Sequence, residues 1–499
     1  MSRKHVVVVG GSCNGMAVAL ALAKRGHQVT ILEKDALPDC DSPIEAFEKW
    51  DRRGAPQVMH SHAFLARMHN SIAEHAPEFY RDLMAAGATR MCFTEMVSSV
   101  FPDADFIPSD DEIVLLACRR MTYDWVLKRH LERATDTIYR DRTEVVGLEA
   151  TPDDATGLLR VTGVRVRRPD EAREVLAADL VIDASGRRTK LRKWLREIGA
   201  GELEEEVTDC GIFYSSRFYR LLEGVEPPPM NGHIGADLGY MKYAIFPGDS
   251  RIFSVTLAAS PEDDDLRRIL RSEKAFDAAT LALPATRAWV SSTVSEPITG
   301  VFGFGDLKDT LRTFVRDDAP LVLGLFPIGD SLVHANPLTG RGCCLGWLEA
   351  LHLADALEKN LDDPKAFALA LHATLVEDLV PWYVNIRDQD RDLIEAREIE
   401  RSGGDPFAFR RDDGSTDPKA FIRSLFRDGL GPALAEDMIV LRKFMRVFNM
   451  LDSPESLLRD GGVLFPRILE AWNARERRDP IRLGPMREEM IDQIRRGAA

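Results

Sequence analysis

The stretch that decides the fold is residues 5–34, which read HVVVVGGSCNGMAVALALAKRGHQVTILEK. His5–Val9 is a short β-branched run without a polar face, which predicts a central strand of a parallel sheet. Residues 10–15 form a glycine-rich turn, and residues 16–24 have the composition of a helix. Residues 28–32 predict a second buried strand. The chain is therefore expected to begin with a strand–turn–helix–strand unit.

The turn has the spacing Gly10-x-Ser12-x-x-Gly15. Gly10 permits the tight turn, Gly15 lets the helix pack closely on the strand, and the middle position lies where a pyrophosphate approaches the helix N-terminus. Ser12 stands where the usual pattern has glycine; it has a small side chain with a hydroxyl able to bond phosphate. Glu33 ends the second strand about 20 residues after the turn, where an acid holds a ribose hydroxyl, and Lys34 follows it. The unit predicts a dinucleotide site but does not separate NAD from FAD.

Composition excludes several classes of function. The chain has 499 residues, a net charge of −15, 45% hydrophobic and 29% charged residues, which is ordinary for a globular protein. An acidic surface repels phosphate backbones, so we expect no nucleic acid partner. No run of about 18 apolar residues and no signal-like start is present, so we expect a cytoplasmic protein without a transmembrane segment. Scattered cysteines without a CxxC pair favour neither a disulfide framework nor a metal site.

Strands and helices alternate through the first half of the chain, although residues 36–75 are expected to be polar and irregular. Residues 205–317 contain aromatic-rich strands that predict a mainly antiparallel sheet. The last 80 or so residues have helical patterns. The predicted fold class is α/β, with a Rossmann-like nucleotide domain, an inserted and mainly antiparallel β-sheet domain, and a C-terminal helical region.

Two distant segments identify the cofactor by resemblance. Residues 329–342, GDSLVHANPLTGRG, resemble the GD-x6-P motif of FAD-dependent monooxygenases. Residues 178–195, ADLVIDASGRRTKLRKWL, resemble the middle motif of the same family, with Asp183 and Gly186 at its characteristic positions. Arg120 begins a helix in the way that the family's flavin-contacting arginine does.

The segments RRGAPQVMHSH (52–62) and LLACRRMTYDWVL (115–127) narrow the resemblance. They are similar to a bacterial branch that contains the polyether or polyene epoxidases, with squalene epoxidase as a more remote relative. The likeness covers roughly residues 5–400. Met59 stands where many members of the branch have arginine, and Cys343-Cys344 follows the last glycine of the GD-x6-P segment. These departures leave the substrate open.

The resemblance implies that FAD is the cofactor. Asp330 would bond a ribityl or ribose hydroxyl, and the backbone of residues 340–342 would face the edge of the flavin ring. Arg120 is preferred over Arg119 as the flavin contact, with a surface ion pair to Asp124 as the alternative. The implied cofactor-binding residues are Gly10, Ser12, Gly15, Glu33, Lys34, Arg120, Asp183, Gly329, Asp330, Pro337, Gly340 and Gly342.

The resemblance also implies a division into domains. The expected FAD-binding domain is residues 1–80, 116–204 and 318–400, the expected substrate-binding domain is residues 81–115 and 205–317, and residues 401–499 form the expected C-terminal helical region. Strands of the substrate domain would supply an apolar wall for the substrate, with the aromatic residues Phe213, Tyr214, Phe218, Tyr240, Tyr243, Phe246 and Phe253.

The implied activity is an FAD-dependent monooxygenase that epoxidises or hydroxylates a lipophilic small molecule with O2, through a flavin C4a-hydroperoxide. The electron donor would be NAD(P)H or a partner flavin reductase, because no second nucleotide fingerprint is evident. The alternative is an FAD-dependent reductase or dehydrogenase that acts on double bonds, as the geranylgeranyl reductases do. A prenyl-binding protein of the GDP dissociation inhibitor type is disfavoured by the retained GD-x6-P segment, and a halogenase by the lack of a WxWxIP segment.

His60 and His62 are the candidate catalytic residues, because their segment lies near the flavin in relatives. A packed or hydrogen-bonded histidine is favoured over a catalytic one, and an HxH metal site lacks a third ligand. Adjacent cysteines form strained disulfides, so Cys343 and Cys344 are interpreted as structural residues.

Overall fold

The structure, a computed structural model, describes residues 3–98, 100–169, 171–229, 235–411, 413–459, 462–478 and 482–498. Its strands, in chain order, are β1 (His5–Val9), β2 (Gln28–Leu32), β3 (Thr89–Cys92), β4 (Val114–Ala117), β5 (Ile138–Arg140), β6 (Glu144–Pro152), β7 (Leu159–Arg167), β8 (Glu174–Ala177), β9 (Leu180–Asp183), β10 (Glu204–Asp209), β11 (Phe213–Leu221), β12 (Gly235–Asp237), β13 (Met241–Pro247), β14 (Ile252–Ala259), β15 (Ser295–Pro297), β16 (Phe302–Phe304), β17 (Lys308–Thr313), β18 (Val315–Arg316), β19 (Ala319–Pro320), β20 (Leu325–Pro327) and β21 (Val333–His334).

The α-helices of the same residues connect and cover these strands. In chain order they are α1 (Cys13–Ala23), α2 (Pro43–Lys49), α3 (Ala66–His75), α4 (Pro77–Ala85), α5 (Phe93–Ser98), α6 (Arg120–Ala134), α7 (Leu191–Ile198), α8 (Asp264–Ile269), α9 (Glu273–Ala282), α10 (Pro284–Val290), α11 (Gly342–Lys359), α12 (Pro364–Asp378), α13 (Val380–Arg401), α14 (Pro418–Leu425), α15 (Gly431–Glu436), α16 (Met438–Phe448), α17 (Ser456–Arg459), α18 (Leu464–Asn473) and α19 (Arg487–Ala498).

A five-stranded parallel sheet in the order β20-β9-β1-β2-β5 forms the centre of the nucleotide-type domain. Alternation of side chains along β1 buries both faces of this sheet. Val6 and Val8 face a core built with α1, α6, α11 and α12. Val7 and Val9 face a second core built with α7 and the antiparallel sheet β6-β7-β8. A strand enclosed in this way needs apolar residues on both faces, which explains the unbroken valine run.

A second large sheet is antiparallel, with the order β12-β13-β14-β11-β15 and with β16 also paired to β11. One face packs on α9 and α19, where Phe276, Met490 and Ile494 are buried. A smaller sheet, β10-β17-β21, joins this region to the segment after β20. The second sheet therefore lies against the nucleotide-type domain with one face and carries its own helical cover on the other.

The predicted fold class is confirmed: the chain is α/β, with antiparallel sheets beside a parallel nucleotide-type sheet and with a helical C-terminal part. One local expectation is wrong, because residues 36–75 contain two helices. Ser42 caps α2 through a hydrogen bond that its Oγ accepts from the Glu45 N–H, and Pro43 occupies the first turn. Among the described residues, no helix combines the length and the hydropathy that crossing a membrane requires.

Candidate functional site

The turn after β1 lies at the carboxyl end of the parallel sheet, where ligands bind in open α/β sheets. Gly10 has φ of +104°, a conformation that other residues rarely adopt, and its N–H donates to the Leu32 carbonyl at 2.8 Å. A Cβ on Gly15 would overlap the carbonyl oxygen of Gly10. Both glycines are therefore required by the close packing of α1 on β1.

Ser12 takes part in a buried polar cluster instead of pointing freely into the turn. Its hydroxyl donates to Asp124 Oδ2 at 2.6 Å and accepts a hydrogen bond from Arg120 Nη2 at 2.8 Å. Arg120 Nε donates to Asp124 Oδ1 at 2.7 Å, and both side chains are buried. The serine thus ties the turn to α6, and the expected Arg120–Asp124 ion pair lies inside the site instead of on the surface.

Arg119 turns away from this cluster. Its Nε donates to Asp249 Oδ1 at 3.1 Å, and its backbone N–H donates to Asp249 Oδ2 at 2.9 Å. The pair is buried and joins the start of α6 to the loop between β13 and β14. Of the two adjacent arginines, Arg120 therefore faces the turn, and Arg119 links the start of α6 to the second sheet.

Glu33 lies at the end of β2 beside the turn, as expected for an acid that holds a ribose. Its Oε2 accepts hydrogen bonds from the Gly11 N–H at 3.0 Å and from Arg52 Nη2 at 3.2 Å. Arg52 is buried, and its Nε and Nη1 atoms have no hydrogen-bond partner within the described chain. Sequence reasoning missed Arg52, although it lies in the segment 52–62 that carried the resemblance. Lys34 is exposed at this edge.

The GD-x6-P segment lies beside the first turn. Gly329 has φ of +55°, and its N–H donates to Glu349 Oε2 on α11. Burial raises the pKa of Glu349 to about 8. Asp330 is half-buried, and within the described residues its carboxylate oxygens accept no hydrogen bond. A carboxylate in this position is available to bond a ligand hydroxyl.

Asp183 ends β9 and has its hydrogen bonds satisfied locally. Its Oδ1 accepts from the Ser185 N–H at 2.9 Å, and its Oδ2 accepts from the Thr189 hydroxyl. Burial raises the pKa of this carboxyl. Asp183 therefore shapes the turn that leads to Gly186, and any contact with a ligand would be additional to this role.

Pro337 begins a single 3-10 turn, Pro337–Thr339, that leads into α11. Gly340 has φ of +67°, and a Cβ on Gly342 would have no atom within 4 Å. The start of α11 therefore borders open space, as a backbone that faces a planar ring requires.

The N-termini of α1 and α11 meet at this place. Neither helix has an acidic residue in its first turn or a side-chain hydrogen bond that caps it. The free N–H groups and the helix dipoles make the place positive, while the charge of the Arg120 guanidinium is balanced by the Asp124 carboxylate. The glycine-rich turn at residues 10–15 forms a cradle of backbone N–H groups. Together with the two uncapped helix ends and the unpartnered Asp330 carboxylate, this cradle fits a group that combines phosphates with sugar hydroxyls.

His60 and His62 are neutral, hydrogen-bonded side chains. His60 Nδ1 lies 3.1 Å from Ser216 Oγ, and its ring packs edge-on against Tyr214 at 4.9 Å. Burial lowers the pKa of both histidines to about 3, and Arg120 contributes to the low pKa of His62. Neither imidazole therefore carries a charge near neutral pH.

A chain of hydroxyls continues from His60 across the second sheet, on the face opposite α9 and α19. This face is called the site-facing side. Ser216 Oγ lies 2.7 Å from Thr256 Oγ1, Thr256 donates to Ser61 Oγ at 2.7 Å, and Ser61 donates to Ser254 Oγ at 2.8 Å. Sequence reasoning missed this network because its members lie on three separate segments. The only signal was the row of small polar residues at alternate positions of strands that are otherwise apolar.

The alternation of side chains along the strands also corrects the predicted aromatic wall, because only three of its seven residues lie on the site-facing side. Tyr214 contacts His60, Phe218 contacts Phe47, and Phe246 lies with His60 at a small cavity, so these three are on the site-facing side. The other four lie in the opposite core with α9 and α19, because neighbouring strand residues face opposite sides. They are Phe213, Tyr240, Tyr243 and Phe253.

A protein of Mycobacterium tuberculosis is similar to this chain over nearly its whole length. No family model matches the chain. Protein Rv3254 of Mycobacterium tuberculosis is 26% identical over 504 residues, which cover 96% of this chain and 97% of that protein.

Solved structures have a similar fold at low sequence identity. PqsL, a probable FAD-dependent monooxygenase from Pseudomonas aeruginosa, has a TM-score of 0.55 at 16% identity and covers 80% of this chain and 98% of its own. The myxobacterial chondrochloren halogenase CndH, described as an FAD-dependent halogenase, has a TM-score of 0.55 at 16% identity, with coverages of 100% and 97%. OxyS anhydrotetracycline hydroxylase from Streptomyces rimosus has a TM-score of 0.54 at 15% identity, with coverages of 90% and 76%. The chain therefore shares the fold of FAD-dependent monooxygenases and halogenases.

Proposed function

We propose that this protein is an FAD-dependent monooxygenase. The observation that carries the proposal is the convergence of the turn at residues 10–15 and the segment 329–342 around Arg120, with two uncapped helix N-termini. This is the place where the shared fold leads us to expect the cofactor. The fold comparison supports the assignment to flavin chemistry.

Each proposed cofactor contact has a chemical reason. The backbone N–H groups at the start of α1 would bond the diphosphate, and the guanidinium of Arg120 would contact the diphosphate or the edge of the ring. Glu33 would bond the adenosine ribose, with Arg52 holding its carboxylate in place. Asp330 would bond a hydroxyl of the ribityl or ribose, and the start of α11 at Gly342 would stabilise negative charge at the ring edge. FAD supplies the redox chemistry and the activation of O2 when it is bound.

We propose further that the substrate is a lipophilic small molecule that is epoxidised or hydroxylated. Tyr214, Phe218 and Phe246 make the site-facing side of the second sheet apolar. Tyr214 and Phe218 are buried there, and Phe246 is half-buried. The neutral His60 and the hydroxyl chain offer hydrogen bonds without charge. Such a surface suits an apolar molecule with a few polar groups, because apolar area supplies affinity and polar groups fix orientation.

We also propose an electron donor, a location in the cell and a division of the chain into domains. NAD(P)H or a partner flavin reductase would supply electrons, and the protein would act in the cytoplasm. FAD would bind to residues 1–80, 116–204 and 318–400, and the substrate to residues 81–115 and 205–317. Residues 401–499 would form a C-terminal helical region.

The activity is tested by stopped-flow absorbance on the FAD-loaded protein, reduced without oxygen and then mixed with aerated buffer. We expect a transient band distinct from reduced and oxidised flavin, before oxidised flavin returns. A direct return to oxidised flavin, with and without candidate alkenes and aromatic substrates, would contradict oxygenation and favour the reductase alternative. A chain that takes up no flavin would contradict both and favour a binding protein.

Asp330→Ala is expected to weaken FAD binding by about 10- to 100-fold, because a hydrogen bond to a charged group contributes roughly 1.5–3 kcal/mol. Titration of FAD into the flavin-free protein, followed by flavin fluorescence, measures the change in Kd. Asp362→Ala is the matched control, since it removes an exposed carboxylate whose ion-pair partner is Lys4. An unchanged Kd in Asp330→Ala would remove this residue from the cofactor contacts.

A further inference from the structure

Two cysteines that are far apart in sequence meet at the approach of α1 and α11. Cys13 and Cys343 lie in the first turns of these helices, both buried, and their thiols are neighbours. Cys13 Sγ donates to Asn14 Oδ1 at 2.8 Å. The helices are in close contact, since a Cβ on Gly346 would overlap the Asn14 side chain. The sequence drew attention to Cys344 as the neighbour of Cys343, but the structural neighbour is Cys13.

The surroundings make the two thiols unequal. Arg120 Nη1 donates to Cys343 Sγ at 3.3 Å. The neighbouring Cys13 thiol lowers the pKa of Cys343, and the charge of Arg120 lowers it further, although burial acts in the opposite direction. Burial raises the pKa of Cys13 well above its ordinary value, and it raises that of Cys344 to about 12. Of the two neighbouring cysteines, Cys343 therefore loses its proton more readily, and Cys13 stays protonated.

A helix N-terminus and a neighbouring arginine are the features that activate cysteine thiolates, and a second thiol in contact is what turns an oxidised cysteine into a disulfide. We infer that Cys13 and Cys343 form a peroxide-reactive dithiol whose disulfide links α1 to α11 at the cofactor cradle. The inference adds a modification site to the proposed function, and its effect on FAD rests on that function.

The chemistry is a two-step oxidation by hydrogen peroxide. The Cys343 thiolate attacks one peroxide oxygen, the O–O bond breaks, and hydroxide leaves, which produces a sulfenic acid on Cys343. The Cys13 sulfur then attacks the Cys343 sulfur, the S–O bond breaks, and the leaving hydroxide takes the Cys13 proton to form water. Two thiols and one peroxide yield one disulfide and two waters, with two electrons passing from sulfur to peroxide.

The test uses the full chain, reduced, freed of reductant and flavin, and treated with one equivalent of hydrogen peroxide. After alkylation and proteolysis, mass spectrometry should find a Cys13–Cys343 crosslink, accompanied by the loss of two free thiols per chain and reversed by dithiothreitol. Cys13→Ala should form no crosslink and should instead retain a sulfenic acid on Cys343 that reacts with dimedone. Cys344→Ala is the matched control and should crosslink as the wild type does.

A folded wild-type chain in which Cys343 remains alkylatable while other cysteines oxidise would overturn the inference, as would a crosslink between other cysteines. The crosslinked chain should take up less FAD than the reduced chain, and bound FAD should slow the crosslinking. If the crosslink forms but the reduced chain takes up no FAD, the dithiol stands and the proposed function fails. If FAD binds and no crosslink forms, the dithiol fails alone.

Discussion

The Gly15→Val variant is expected to fold and to be purified without FAD. A Cβ at this position overlaps the Gly10 carbonyl oxygen, and the two further methyl groups of valine enlarge the overlap. The first turn of α1 must then move away from β1, which displaces the backbone N–H groups that are proposed to bond the diphosphate. Losing two or three charge-assisted hydrogen bonds of about 1.5–3 kcal/mol each weakens binding by at least ~100-fold.

Flavin absorbance per chain after desalting measures this result, and far-UV circular dichroism establishes that the variant is folded. Ser12→Gly is the control in the same turn, and we expect it to retain FAD. It removes a hydroxyl that bonds Asp124 and Arg120 but leaves the backbone cradle intact. Stoichiometric flavin in purified Gly15→Val would contradict the assignment of the cradle.

Arg119→Met is expected to lower the free energy of unfolding by about 3–5 kcal/mol, because it leaves the carboxylate of Asp249 buried without a counter-charge. Both side chains of this pair are almost completely buried. Burial alone would raise the pKa of Asp249, but the hydrogen bonds and the charge of Arg119 hold it below its ordinary value. Methionine fills a similar volume, so the lost charge dominates over lost packing.

Urea denaturation at neutral pH measures the change. Without Arg119, burial favours the protonated Asp249, so the variant loses stability as the pH rises above the unfolded pKa of about 3.9, and its deficit narrows toward pH 4. The double variant Arg119→Met/Asp249→Asn should regain part of the loss, since no charge remains buried. Arg53→Met, which removes an exposed pair with Asp51, should change stability by less than about 1 kcal/mol. A similarly small change in Arg119→Met would refute the proposed importance of the buried pair.

The parts of the fold that the sequence predicted well are local. The unit at residues 5–34 could be predicted because strand, turn and helix each follow from neighbouring residues and end at Glu33. The GD-x6-P segment was recognisable for the same reason. In both cases short-range spacing determines the backbone, and the backbone determines which atoms can face a ligand.

The contacts within the site were harder to predict because they join distant segments. Ser12 bonds Arg120 and Asp124, which lie more than 100 residues away in sequence. Arg119 precedes α6 in extended backbone and Arg120 begins the helix, so the two side chains point in different directions, but the sequence pattern does not say which one faces inward. The alternation on β11 likewise separates Phe213 from Tyr214 without saying which side meets the other domain.

Helix α19 has a consequence for how the chain is made. Its Met490, Ile491 and Ile494 are buried in the core of the second sheet with Phe276 of α9. During synthesis on the ribosome, β11, β13 and β14 emerge long before α19 does, so the apolar face of this sheet stays incompletely covered until α19 has been made. The nucleotide-type sheet, whose last strand is β20, has its strands available earlier. We therefore expect that a nascent chain stopped before α19 is the form of this protein that chaperones bind most readily.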